Sequence, residues 1–127
     1  MKNNTPSVLI VEDDADIREL LRICLESDGY RVNSAADGLD ALQQLQAGTR
    51  PALILLDLMT PRMDGEEFLQ QMRSSPFAGI PVVIMSGHNS SARKAQELKA
   101  ACCLMKPVEF EELLTTVRRL TAARARK

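Results

Sequence analysis

Short apolar runs alternate with helical patterns along the chain, and this alternation constrains the fold more than any other feature of the sequence. The runs lie at residues 8–11, 53–56, 81–85 and 102–105, and residues 31–35 form a weaker candidate strand. They are short enough to be strands, and the segments between them have apolar residues at helical spacing. Strands that alternate with helices predict an α/β fold, with a parallel sheet covered by helices on both faces.

Five helices are expected to follow these strands. The first carries Ile17, Leu20, Leu21, Cys24 and Leu25, and the second begins at Asp37-Gly38. The third follows Asp64-Gly65, the fourth covers residues 90–100 and the last covers residues 109–121. Gly29 and Gly48 are typical stop signals for the first two helices. Asp14, Asp16, Asp37 and Asp64 precede helical patterns or lie in turns, and are expected to act as helix caps.

The length and charge of the chain limit its function. Its 127 residues suffice for one domain, and 16 Lys and Arg nearly balance 17 Asp and Glu. A domain that binds nucleic acid directly would be more basic. No apolar run is long enough to enter a membrane, and the first residues lack a signal-peptide pattern, so we expect a cytoplasmic protein. We expect a flexible N-terminus at 1–6, one domain at 7–122, a short basic tail at 123–127 and no output domain.

The three cysteines, Cys24, Cys102 and Cys103, do not form a recognisable framework. Their number is odd, two of them are adjacent, and no C-x-x-C pair exists. This spacing fits neither a disulfide scaffold nor a zinc site. We expect free thiols that fill apolar positions.

Polar residues follow four of the five predicted strands directly. Glu12 and Asp13 follow the first strand, Asp57 the third, Ser86 the fourth and Lys106 the fifth. The carboxyl ends of parallel strands meet at one edge, where ligands bind in folds of this kind. Three carboxylates there would repel one another, and Mg²⁺ with oxygen ligands would relieve the repulsion. A carboxylate nucleophile, a metal, an ammonium and a hydroxyl are the groups needed to form an aspartyl phosphate.

The chain resembles the receiver domains of response regulators in two-component signalling, of the single-domain chemotaxis type. The matching segments are residues 8–14 (VLIVEDD), 55–65 (LLDLMTPRMDG), 81–87 (PVVIMSG) and Lys106-Pro107. The resemblance implies a flavodoxin-like, doubly wound sheet of five parallel strands in the order 2-1-3-4-5. It also implies a phosphoprotein that receives a phosphoryl group from a histidine kinase or phosphotransfer protein, requires Mg²⁺, and signals to a downstream protein.

The resemblance assigns a role to each polar residue at the strand ends. Asp57 would accept the phosphoryl group, and Lys106 and Ser86 would contact it. Asp13, Asp57 and the backbone carbonyl of Met59 would bind Mg²⁺, with Glu12 acting through water. The Lys106-Pro107 bond would be cis, as it usually is in this family. The only expected catalysis is self-phosphorylation and autodephosphorylation, so the chain is not expected to be an enzyme.

The sequence departs from the family pattern at Cys103, three residues before Lys106, where the family usually has Tyr or Phe. Activation is then expected to be transmitted without an aromatic rotamer change. Met59 and His88, each two residues after a site residue, flank the path of an attacking water. Because Met59 cannot orient water, we predict a long-lived phosphoryl group.

Two other functions remain open at this point. One is a constitutive interaction module that keeps the fold without being phosphorylated. The other is a metal-dependent phosphohydrolase, although such enzymes carry a second acid where this chain has Met59. The protein is expected to be a monomer or a weak, phosphorylation-dependent dimer. Residues 90–100, the fifth strand and the last helix form the expected partner surface by resemblance alone.

Overall fold

The computed structural model of the chain describes residues 6–87 and 96–125, with side chains through residue 122. Its strands are β1 (Ser7–Val11), β2 (Arg31–Ala35), β3 (Leu53–Asp57), β4 (Val82–Ser86) and β5 (Cys102–Met105). All pairings are parallel and the strand order is β2-β1-β3-β4-β5, which confirms the predicted sheet. Its helices are α1 (Ala15–Ser27), α2 (Gly38–Gln46), α3 (Gly65–Arg73) and α4 (Phe110–Ala125).

The helix count differs from the expected five, because only four helices lie within the described part of the chain. Most of the expected helix at residues 90–100 falls outside it, as does His88. Residues 96 and 97 are helical, and the chain leaves that conformation before β5. The strands otherwise agree with the sequence pattern to within one residue at each end.

The central strands β1, β3 and β4 are buried on both faces, which explains why they read as continuous apolar runs. Side chains of a strand alternate between the faces, so neighbouring residues enter different cores. One core joins Leu9, Val11, Ile54, Leu56 and Ile84 to apolar side chains of α2 and α3. The other joins Val8, Ile10, Leu53, Leu55, Val83 and Met85 to side chains of α1 and α4. Among the described helices, none combines the length and apolarity needed to cross a bilayer.

Aspartate side chains cap the N-termini of the first three helices, as the sequence predicts. Asp14 accepts hydrogen bonds from the N–H groups of Asp16 and Ile17, which satisfies two donors at the start of α1. Asp37 and Asp64 cap α2 and α3 in the same way. The expectation that Asp16 is a cap is wrong, because Asp14 already occupies that position and Asp16 lies inside the first turn of α1.

The C-terminal helix α4 runs from Phe110 to Ala125 and so continues four residues past the predicted end at Thr121. Its apolar stripe ends at Leu120, which is why periodicity alone stops the helix early. Alanines at positions 122, 123 and 125 are strong helix formers, which accounts for the longer helix.

The three cysteines are free thiols, as expected. Cys24 is buried in α1, and Cys102 and Cys103 are half-buried neighbours in β5. Because strand side chains alternate, Cys102 packs against one core and Cys103 against the other. Burial raises the pKa of the Cys103 thiol, which keeps it in the unreactive protonated form.

Candidate functional site

The parallel register brings the polar strand ends to a common edge of the sheet. Val11 pairs with Leu56, so Glu12 and Asp57 each follow a matched position on neighbouring strands. Asp57 pairs with Met85, and Ser86 pairs with Met105. Ser86 and Lys106 therefore continue the same line from β4 to β5. The structure thus brings together all five residues that the strand-end pattern singles out.

The three acids at this edge form a tight cluster. Glu12, Asp13 and Asp57 each offer a carboxylate oxygen, and these atoms all lie within 4.8 Å of one another. Glu12 is only 1% exposed and Asp57 only 4%, whereas Asp13 is exposed. The cluster thus combines two buried carboxylates with one that is open to solvent.

Lys106 bridges the two buried acids from the far side of the cluster. Its ammonium Nζ donates to Oε1 of Glu12 at 2.9 Å and to Oδ2 of Asp57 at 3.1 Å. Burial by itself would lower the pKa of this lysine, but the hydrogen bonds to Glu12 and Asp57 outweigh burial and raise the pKa. Lys106 is therefore a fixed positive charge at the site.

Glu12 is held by several neighbours. Its second oxygen, Oε2, accepts the N–H of Asp14 at 3.2 Å, and its backbone carbonyl accepts Nη1 of Arg18 at 2.7 Å. Burial raises the pKa of the Glu12 carboxyl, and the negative charge of Asp57 adds to this effect. The hydrogen bonds from Lys106 and Asp14 oppose the rise without cancelling it.

The loop between β3 and α3 fixes the second oxygen of Asp57. The N–H of Met59 donates to Asp57 Oδ1 at 3.1 Å, so both carboxylate oxygens of Asp57 have a partner. The loop closes on itself where the N–H of Gly65 donates to the carbonyl of Leu58 at 3.1 Å. A Cβ at Gly65 would lie 2.8 Å from Leu58 Cα, so only glycine fits this approach.

Met59 itself points away from the core. Met59 is 65% exposed and Met105 is 46% exposed, whereas Met72 and Met85 are buried. Loop and edge positions of this kind show no apolar periodicity from which exposure could be read.

Ser86 lies at the end of β4 and is 2% exposed. Its backbone carbonyl accepts the N–H of Lys106 at 3.0 Å, which joins the ends of β4 and β5. The Lys106-Pro107 peptide bond is cis, in agreement with the expectation.

A divalent cation fits the charge of this cluster. Three carboxylates against one ammonium leave two negative charges in a cluster whose members Glu12 and Asp57 are buried. All the acidic donors are oxygens, which are the ligands that Mg²⁺ prefers. The donor set therefore suits a hard cation and contains no thiolate or imidazole that would select a softer one.

The polar residues at the strand ends did not predict two contacts, both of which are made by arginines. Arg18 holds the carbonyl of Glu12, and Arg62 pairs with Asp37. Asp37 was expected only to cap α2, and Arg62 was not singled out. Neither partner is adjacent in sequence to the other, so no local pattern could have identified the pair.

Comparison with known families agrees with this geometry. The sequence model of the response regulator receiver domain matches residues 8–118, most of the chain. Response regulator MprA from Mycobacterium sp. (strain KMS) is 39% identical over 115 residues, covering 89% of this chain and 49% of that protein. The chain thus spans about half the length of the curated relatives it matches.

Solved structures have the same fold. The signal receiver domain of a signal transduction histidine kinase from Syntrophus aciditrophicus has a TM-score of 0.87 at 29% identity, covering 97% of this chain and 95% of that one. The chemotaxis response regulator CheY4 of Vibrio cholerae has a TM-score of 0.84 at 32% identity, covering 92% and 99%.

Proposed function

The chain belongs to the response regulator receiver domain family of two-component systems, and on that premise we propose that it is a phospho-accepting signalling switch with Asp57 as the acceptor. The observation that carries the proposal is the pair of hydrogen bonds from Met59 N–H and Lys106 Nζ to the two oxygens of Asp57. They hold a buried carboxylate at the open edge of the sheet, beside two further acids.

In the proposed reaction an oxygen of Asp57 attacks the phosphorus of a phosphohistidine on a kinase or phosphotransfer protein. A new P–O bond forms, the P–N bond breaks, and its electron pair leaves with the imidazole. Lys106, already hydrogen-bonded to Asp57, is positioned to neutralise phosphoryl oxygens as they approach. Ser86 at the end of the next strand supplies a hydroxyl to the same group. These roles describe self-phosphorylation and autodephosphorylation, and no separate enzymatic activity.

Mg²⁺ is the proposed cofactor, and it would supply positive charge that draws the donor phosphoryl group to Asp57. Asp13 is the exposed acid of the cluster and is proposed as a direct ligand, together with Asp57 and the backbone carbonyl of Met59. Both oxygens of Glu12 already accept hydrogen bonds, from Lys106 and Asp14. This engagement supports a role for Glu12 through water.

Signal output is proposed to pass through the loops after β3 and β4 and residues 90–100. Cys103 stands where the family usually has an aromatic residue, so the transmitted change does not involve an aromatic rotamer. Titration with beryllofluoride and Mg²⁺ tests this by NMR, because the amides that shift in the wild type should be the same ones in Cys103→Tyr. A new set of shifted amides along β5, found only in that variant, would argue against it.

The proposed partners are a histidine kinase or phosphotransfer protein and a downstream protein target. We propose that residues 7–122 form the receiver domain, with a basic tail at 123–127, the first three residues of which continue α4, lying after it. Recognition of the target does not involve direct binding to nucleic acid, and the protein acts in the cytoplasm as a monomer or weak dimer. The partner surface is proposed to include β5 and α4.

The phosphohydrolase alternative is disfavoured by Met59. This residue stands two positions after Asp57, where such enzymes need an acid, and its exposed side chain is apolar. The constitutive interaction module is disfavoured by the charged cluster, because a buried group of like charges destabilises a fold that makes no use of it.

Intact-protein mass after incubation with acetyl phosphate and Mg²⁺ tests the proposal. We expect one added phosphoryl mass in the wild type, and none in Asp57→Asn or without Mg²⁺. No added mass in a wild type that binds Mg²⁺, together with no binding of beryllofluoride, would contradict the proposal and favour the constitutive module.

A further inference from the structure

A buried aspartate and an arginine from a distant loop form a two-point ion pair beside the candidate site. Asp37 Oδ2 accepts Nε of Arg62 at 2.7 Å, and Asp37 Oδ1 accepts Nη2 of Arg62 at 3.2 Å. The Asp37 side chain is only 3% exposed, whereas that of Arg62 is 59% exposed. The same carboxylate caps α2 by accepting the N–H of Asp40 at 2.9 Å. Asp37 therefore joins the start of α2 to the loop between β3 and α3.

The arginine is held in an uncommon backbone conformation. Its φ of 61° lies in the left-handed region, which residues other than glycine, asparagine and aspartate adopt at some cost. The adjacent residue, Met63, has a second link to α2, because its carbonyl accepts the N–H of Gly38 at 3.0 Å. A Cβ on Gly38 would come within 2.7 Å of that carbonyl oxygen. The loop thus packs closely against the start of α2 at Arg62 and Met63.

The loop that packs against α2 in this way also carries an N–H group that contacts Asp57. Thr60 Oγ1 donates to the same Met63 carbonyl at 2.9 Å, which links the middle of the loop to the end that packs against α2. One residue before Thr60, the N–H of Met59 donates to Asp57 Oδ1. A continuous series of short contacts therefore runs from Asp37 through Arg62, Met63 and Thr60 to the acceptor carboxylate.

We infer that the Asp37–Arg62 ion pair is a positioning device, which holds the β3–α3 loop so that Met59 presents its N–H to Asp57. Neither residue touches the phosphoryl group in this proposal, and both act through the loop. A bidentate guanidinium–carboxylate pair suits the purpose because it fixes orientation as well as distance. The inference rests on the proposed function for its effect on phosphorylation, although its effect on the loop can be measured without phosphorylation.

The chain offers a matched control in a second bidentate pair. Arg118 donates to Asp28 through Nε at 3.0 Å and Nη2 at 2.7 Å, and it joins α4 to the residue that ends α1. Arg118 is 57% exposed, close to the exposure of Arg62. Arg118→Ala therefore removes a second two-point ion pair, whose carboxylate is more exposed than that of Asp37 and which joins α4 to α1 and not to the β3–α3 loop. Acetyl phosphate is a small-molecule donor, so the place of Arg118 on the proposed partner surface does not enter the phosphorylation measurement.

The experiment measures amide hydrogen exchange by NMR in metal-free wild type, Arg62→Ala, Asp37→Asn and Arg118→Ala. Asparagine keeps the ability to cap α2 while removing the charge that Arg62 contacts. We expect the amides of Met59 and Gly38 to exchange about 10-fold faster in Arg62→Ala and Asp37→Asn, relative to Ile10 in the central strand as a monitor of global unfolding. Arg118→Ala should leave this ratio unchanged.

The rate of phosphorylation by acetyl phosphate with Mg²⁺ is measured on the same four proteins. We expect the rate to fall about 10-fold in Arg62→Ala and in Asp37→Asn, and to stay at the wild-type value in Arg118→Ala. Unchanged exchange at Met59 and Gly38 in Arg62→Ala would overturn the inference, even if phosphorylation slowed. If the wild type itself takes no phosphoryl group, the proposed function fails, and the exchange data still decide whether the pair positions the loop.

Discussion

Lys106 donates to Glu12 at 2.9 Å across 94 residues of sequence, and this contact joins the first and last strand ends of the site. The two groups have opposite charge and each is largely removed from solvent, so each depends on the other for its charged state. Because Lys106 also donates to Asp57, it separates two carboxylates that would otherwise face one another. Replacing it therefore has different effects on metal binding and on phosphoryl transfer.

We expect Lys106→Ala to slow phosphorylation by acetyl phosphate about 100-fold, because a preorganised positive charge at the acceptor is lost. The same change should lower the Kd for Mg²⁺ about 10-fold, since the cation no longer meets an ammonium in the pocket. Calorimetry and the kinetics of mass increase measure the two effects. A variant that loses both metal affinity and rate would show that Lys106 acts mainly in folding.

Mg²⁺ should stabilise the folded protein by relieving repulsion within the acidic cluster. At a concentration 100 times the Kd, we expect the free energy of unfolding to rise by about 2.7 kcal/mol. Asp13→Asn should remove most of this gain, whereas Asp16→Asn, in the first turn of α1, should keep it. Thermal melts with and without Mg²⁺ measure the difference, and equal gains in both variants would exclude Asp13 as a ligand.

Met59 is expected to prolong the phosphorylated state, because an exposed thioether orients water poorly. In Met59→Asn an amide could hydrogen-bond the attacking water, and one such bond contributes roughly 0.5–1.5 kcal/mol. Autodephosphorylation should then be about 2- to 10-fold faster. The decay of the added phosphoryl mass after removal of the donor measures the lifetime. A slower decay in Met59→Asn than in Met59→Leu would contradict the prediction.

Gly65 should not tolerate a side chain, because a Cβ there meets the backbone of Leu58 and the carbonyl of Asp57. We expect Gly65→Ala to lower the free energy of unfolding by about 1–3 kcal/mol through forced movement of the loop. Gly79→Ala is the control, since nothing lies within 4 Å of a Cβ at that position. Urea unfolding of the two variants gives the comparison, and equal stability would show that the loop moves aside freely.

Asp37 should give the protein a stability that depends on pH. Burial alone would raise the pKa of its carboxyl, but Arg62 and the N–H groups of α2 outweigh burial and hold the pKa below its ordinary value of 3.8. The ionised form thus stabilises the fold above that value, and the contribution disappears as the pH falls through the lowered pKa.

At pH 6 we expect Asp37→Asn to be less stable than the wild type by about 2 kcal/mol. The difference should begin to narrow as the pH falls below 3.8, where the carboxyl of the unfolded chain becomes protonated, and it should keep narrowing until the pH has passed the lowered pKa of the folded protein. Urea unfolding at pH 6, 4 and 3 measures this trend. A difference that stays constant over this range would assign the effect to packing.

The positions of β1, β3 and β4 could be predicted closely from the sequence because these strands are buried on both faces and read as apolar runs. The one shift at the start of a strand with a clear cause is at Pro81, which lacks an N–H for the ladder, so β4 begins at Val82. Strand ends also located Glu12, Asp13, Asp57, Ser86 and Lys106, since parallel strands share one carboxyl edge.

Contacts between loops could not be predicted in the same way. The Asp37–Arg62 pair depends on how two connections between strands and helices approach one another, and the local sequence around each residue indicates only a cap and a turn. The exposure of Met59 has the same origin, because a loop has no period from which an inward face can be read. Both features depend on the folded structure and have no counterpart in a local sequence pattern.

The strand order has a consequence for the order in which the chain can assemble. Residues 7–57 already contain β1 with both of its neighbours, β2 and β3, so a three-stranded sheet can form from the first part of the chain. β4 and then β5 add successively at the open edge beside β3. In that order of assembly Glu12 and Asp57 come together early. Lys106, whose ammonium contacts both of them, reaches them only when β5 joins the sheet. The last strand of the sheet is therefore also the one that brings a positive charge to the two buried acids.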